Sequence, residues 1–162
     1  MRTWPIWVAA LWWGSLTSLG FAVVPLLFVY LPTPALAGTT AARLFEFQTW
    51  VSVSLGLLLL IASRALRWPM ISARVQATTV FIIGGMLLAL LVQFAVAPRI
   101  VARENLHLWH TLGSVMYLLQ WLCAGAIFWA LVKPDTAVSE AAKISSQAGL
   151  GGVEKQRGTR VP

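Results

Sequence analysis

Charge is what this sequence has least of. Asp, Glu, Lys and Arg make up 10% of its 162 residues, against about 25% in an ordinary water-soluble domain. That deficit excludes an apolar core wrapped in a solvated shell. Cysteine is almost missing too. Cys123 stands alone, so no internal disulfide can form, and its mid-segment position reads as a small apolar side chain. There are two histidines and five acidic residues. No glycine-rich phosphate loop and no nucleophile with a neighbouring base appears, so no enzyme class stands out.

Hydrophobicity fills the space that charge leaves. Apolar residues make up 59% of the chain, and the mean hydropathy is +0.78. Four apolar runs, at about 4–31, 44–62, 75–97 and 106–132, approach or exceed the ~20 residues that a helix needs to cross a bilayer. The fold class is therefore all-α, an integral membrane four-helix bundle in a single domain over 1–133. Pro25 is expected to kink the first helix, and Pro32 with Pro34 to end it. Pro98 is expected to stop the third. The stretch 134–162 is polar, too poor in large side chains to pack, and is expected to be a disordered tail.

The net charge of +7 does not indicate nucleic acid, because the basic residues lie scattered between apolar runs. Orientation explains them better. With four spans, one side holds Arg2, Arg64, Arg67, Arg74, Lys133, Lys143, Lys155, Arg157 and Arg160, and the other only Arg43, Arg99 and Arg103. Nine against three puts both termini, tail included, in the cytoplasm. The expected location is the inner (plasma) membrane of a bacterium, with the lipid bilayer as first partner. Ala35-Leu36-Ala37 resembles a signal-peptidase site, but the preceding apolar run exceeds the 7–15 residues of a signal core, so the reading is a retained helix.

Small residues recur every fourth position in the first run, at Ala10, Gly14, Ser18 and Ala22. Such a stripe lets another helix approach closely, and it is the expected packing face of helix one. In the fourth run His107, His110, Ser114, Tyr117 and Trp121 share one stripe at three-and-four spacing. The topology puts Glu46, Gln48, Thr49 and Gln93 at similar depth, in the outer half. Ionisable residues inside a span mark functional sites by default; the alternative is that these are interfacial residues facing water or head groups, with Glu46 paired to Arg43 three residues back. Three chemistries stay open: a metal held by His107, His110 and Glu46; a haem with one axial histidine; or a polar cavity around His110, Ser114 and Tyr117 that binds or moves a small solute or ion. The alternative to all three is a structural or assembly subunit, whose stripe meets a partner membrane protein or a second copy. The cofactor, if any, stays unnamed.

Trp13-Gly14, Leu31-Pro32, Gly38, Leu44-Phe45, Phe47, Pro98-Arg99, and His110 followed by Ser114 resemble one family over roughly residues 8–130. It is the transmembrane-protein-205-like family of small four-helix membrane proteins, whose bacterial members form a domain of unknown function. The resemblance implies an integral membrane protein and no particular activity. Glu46 stands where a proline often follows Leu-Phe in that family, so the resemblance lends Glu46 no role.

Overall fold

The computed structural model describes residues 3–65, 73–102 and 105–133. Among them all regular structure is helical. Helix α1 runs over Trp4–Tyr30, α2 over Pro34–Ala65, α3 over 73–101 and α4 over Leu106–Val132. Each contains a stretch long and apolar enough to cross a membrane: Trp4–Tyr30, Pro34–Arg64, Gln76–Ile100 and His107–Val132. The protein is a multi-pass membrane four-helix bundle. The helices alternate in direction. Their distal ends meet where α1 passes to α2 and α3 to α4.

Two helices contain a widened turn. In α1 the turn is π-helical over Leu19–Val23, and the Val24 amide donates to the Leu19 carbonyl, five residues back. In α3 the π turn is Val92–Val96, closed by the Ala97 amide on the Val92 carbonyl. A proline follows each turn by two residues, Pro25 and Pro98. Proline removes one helical donor and crowds the carbonyl a turn behind it, and a π turn absorbs the mismatch. Pro98 therefore does not stop α3, which continues to Val101. Helix α1 does end ahead of Pro32 and Pro34, at Tyr30, and Pro34 also begins a helix. It is the first residue of α2, where its missing N–H costs nothing, and the Thr33 hydroxyl caps the Leu36 amide at 3.3 Å. This start makes α2 ten residues longer at its beginning than the apolar run alone implied. At the other distal connection Asn105 adopts φ 38°, a left-handed conformation that asparagine tolerates better than most side chains. Its carbonyl then receives the Leu108 and Trp109 amides. Arg99 lies 5.2 Å above the Trp109 ring, a cation–π contact.

The core is built of large side chains in small sockets. Trp12 is fully buried, and its six-membered ring sits between two glycines. A Cβ on Gly85 would lie 3.2 Å from it, and one on Gly56 3.6 Å. Trp13 covers Gly125, where a Cβ would fall 3.0 Å from the indole nitrogen. It also stacks on Phe128 with ring centroids 5.7 Å apart and tilts against Trp121. Ala9, Leu16, Leu55, Leu59, Ile82, Ala124 and Ile127 complete this cluster. Neither the Trp12 nor the Trp13 N–H has a partner among the described residues, so packing alone holds these rings. Within this chain the buried face of α1 is therefore not Ala10, Gly14, Ser18 and Ala22. Ser18 and Ala22 are exposed, and a Cβ on Gly14 would meet nothing within 4 Å. The buried face is Pro5, Ala9, Trp12 and Leu16, continued by Leu19. Two indoles and two leucines offer far more van der Waals contact than a small-residue stripe, and the glycines that admit them are on the partner helices.

One polar network crosses the bundle beside this core. The Gln48 amide donates to the Ser15 hydroxyl at 3.0 Å and lies 3.5 Å from that of Ser52. The Gln120 amide donates to the same Ser52 oxygen at 2.9 Å. Interhelical hydrogen bonds inside membrane proteins contribute about 0.6 kcal/mol each on average. They therefore set the register of α1, α2 and α4 more than they supply stability.

Candidate functional site

Distal to that network the helices part around a cavity of about 530 Å³. All four contribute to its wall, and both widened turns face it: Gly20 and Phe21 from the first, Val92, Gln93 and Val96 from the second. An α-helical wall would present a regular ridge there, and the extra residue of each π turn displaces the backbone and changes its face. The early start of α2 adds Gly38, Ala41 and Ala42, and α4 adds His110, Gly113 and Ser114. From His110 to Tyr117 the wall rises roughly 10 Å along the helix axis.

Tyr117 forms the floor. Its hydroxyl donates to the Leu16 carbonyl at 2.8 Å. The ring presses on Gly20 so closely that a Cβ there would fall 2.5 Å from Cε1. On its other side it packs edge-on to Phe45, with centroids 5.2 Å apart. A side chain from α4 is thus wedged into α1 at the start of its π turn. Glycine is required at position 20 for this close approach.

The expected site residues separate into three groups. His110, Ser114, Tyr117 and Gln93 come together on the cavity wall. Gln48 and Thr49 are buried below it. They line a second void of about 10 Å³ with Phe45, Ala89, Val92, Tyr117 and Gln120, close to the lower bound for holding one water. Glu46 and His107 line neither. Glu46 pairs with Arg43 at 3.4 Å, one helical turn back, and His107 is exposed. Among the described residues no three His, Cys, Asp or Glu side chains gather as metal ligands. Two hydroxyls of the stripe are spent locally or on α1: Ser114 donates to the His110 carbonyl at 2.9 Å, and Tyr117 to Leu16. Trp121, deeper, donates from its indole nitrogen to the Thr17 hydroxyl at 2.9 Å.

The polarity pattern does not reveal the contribution of Gly20, Phe45, Gln120 and the π turns. A signal for the turns was nevertheless present. Phe21-Ala22-Val23-Val24-Pro25 recurs as Phe94-Ala95-Val96-Ala97-Pro98, and Thr49-x-x-Ser52 in α2 recurs as Thr111-x-x-Ser114 in α4. Phe21 and Val24 of the first F-A-V-x-P segment and Val96 and Ala97 of the second line the cavity.

The profile of a family described as a domain of unknown function (DUF4149) matches residues 7–108. The match takes in both widened turns and ends just before His110. No curated protein and no solved structure matches the chain. With more than half of its length matched, the chain belongs to the DUF4149 family.

Proposed function

We propose that this member of the DUF4149 family is a membrane-embedded binding protein for a small molecule, held in the cavity between the two widened turns. One observation carries the reading. The cavity, about 530 Å³, has the size of a small-ligand pocket, roughly 300–1,000 Å³. Its wall also has the usual composition of one, mostly apolar with a few convergent polar groups, here His110, Gln93 and Ser114. Proximal to it, Trp12, Leu16, Leu59, Ile82 and Ile127 fill the bundle with essentially no exposed surface. That packing favours binding, or carriage with a conformational change, over a standing pore.

On the same reading both termini are cytoplasmic, the cavity lies in the outer half of a bacterial inner membrane, and the chain is a transmembrane-protein-205-like protein. The nine-to-three distribution of Lys and Arg supports the orientation, and the quoted residue pattern supports the family likeness. Reporter fusions at residues 70 and 150 should be active only on the cytoplasmic side. A periplasm-active reporter at either position refutes the orientation.

The binding reading is tested by native mass spectrometry of the full chain in mild detergent. The wild type should retain a small molecule that Gly113→Leu loses, because the leucine would occupy the cavity. His110→Ala should weaken retention, and His107→Ala, off the cavity wall, should not. Identical spectra for wild type and Gly113→Leu refute the reading.

A further inference from the structure

We infer that the ligand is an amphiphile with an uncharged, hydrogen-bond-accepting head, admitted from the hydrocarbon of the bilayer between α1 and α4; this rests on the binding reading above. Where the cavity opens decides what enters it. Phe21 and Leu118 line it and are 58% and 46% exposed. Each lies in the middle third of a helix 27 residues long. At that depth the surroundings are acyl chains and not water, so a ligand that passes between these residues comes out of lipid. Immediately below, the gap is closed. Phe21 meets Trp121 edge-on at 5.5 Å, and Trp121 is tied to Thr17.

The polar inventory of the wall decides the head group. The Ser114 and Tyr117 hydroxyl protons are committed to backbone carbonyls. The side chains of His110 and Gln93 face the cavity and hydrogen-bond to no described residue. Each has N–H to give, one on a neutral imidazole and two on the amide. Among the described residues neither a carboxylate nor a Lys or Arg lines the wall, and Glu46 is paired with Arg43 away from it. A charged head of either sign would therefore leave water with no counter-charge to meet. An uncharged carbonyl or carboxylic-acid head would receive an N–H from each of the two side chains, with its chain lying along Phe21, Val24, Val92 and Val96.

The test uses the full chain in lipid nanodiscs with two photoactivatable probes of equal chain length. One is palmitic acid carrying a diazirine near the chain end, and the other is the matching alkylammonium. The palmitic acid probe should label residues within 20–28 and 113–118. Excess unlabelled palmitic acid should suppress that labelling at least tenfold, as should Ala97→Trp or, independently, Gly113→Leu. The ammonium probe should label at least tenfold less, and the Gln93→Leu, His110→Leu double variant should erase the difference. Labelling that neither cavity-filling variant reduces overturns the inference, since the probe then reacts only from bulk lipid. Equal labelling by both probes overturns the head-group assignment. If native mass spectrometry finds a water-soluble molecule that Gly113→Leu displaces, the binding reading stands and the amphiphile falls. If nothing depends on the cavity-filling variants, both fall together.

Discussion

Replacing Gly20 by alanine tests the joint on which the cavity rests. A Cβ at this position would stand 2.5 Å from Cε1 of Tyr117 and 3.2 Å from both Cζ and the hydroxyl oxygen. The ring cannot simply step back, because Phe45 packs against it and its hydroxyl is bonded to Leu16. Overpacking of this kind costs about 1–3 kcal/mol. If the ring moves, the interhelical hydrogen bond goes as well, about 0.6 kcal/mol and at most about 1.7. Alanine returns up to ~1 kcal/mol of helix propensity, so the net expectation is a loss of roughly 1–3 kcal/mol. The assay is reversible unfolding in detergent, or the thermal midpoint where unfolding is irreversible, beside Gly14→Ala as control. At Gly14 a Cβ meets nothing within 4 Å, so the control should be neutral or slightly stabilised. A Gly20→Ala, Tyr117→Leu double variant adds a second check. Removing the ring tip removes the clash, so the two changes should be non-additive, with a coupling energy of about 0.5–3 kcal/mol. Gly20→Ala as stable as Gly14→Ala, or strict additivity with Tyr117→Leu, would refute the wedge.

Three further outcomes follow from the packing. Gly85→Leu should destabilise the bundle by more than 2 kcal/mol, about the scale of a severe core clash, because Trp12 already occupies the space at 3.2 Å. Gly14→Leu should change the midpoint of the isolated chain little, and an equal loss for the two would restore the small-residue stripe as the packing face. Ser52→Ala removes the acceptor of the Gln120 amide and should cost about 0.6–1.7 kcal/mol; Ser54→Ala, on an exposed position of the same helix, should cost nothing measurable. Trp121→Phe keeps the ring against Trp13 and Phe21 but drops the bond to Thr17. It should loosen the closure beneath the gap and raise hydrogen exchange around Thr17 in the middle of α1, and an unchanged exchange pattern counts against that closure.

The membrane class and the number of spans were legible in the sequence because both follow from sums along the chain. Apolar length and lack of charge decide whether a helix can stay in lipid, whatever it packs against. The depth of the polar residues was legible for the same reason. Axial position follows from residue count, and His110, Ser114, Tyr117 and Gln93 line one cavity. Azimuth and distance were not legible. Glu46 sits at the same height but turns to Arg43, and Gln48 turns inward to Ser15. Residues 66–72 between α2 and α3, with Arg67, the tail from 134, and Arg103 with Glu104 lie outside the described residues.

What the sequence determined by itself is the solvent each segment requires, and where along each helix the polar groups fall. Tertiary structure decided which faces meet. Small residues suggested that α1 packs at Gly14, yet its large rings pack into glycines of other helices, because the gain depends on the shape of the partner and not on one helix alone. The prolines show the same division. Their chemistry ensures that α1 and α3 lose a hydrogen bond near Pro25 and Pro98. Whether the helix then ends, kinks or widens depends on what stands beside it. Here Tyr117 presses into α1 at Gly20, and Val96 of α3 packs over Gly113 of α4. Both helices run on through a widened turn, and the space between those two turns is the cavity.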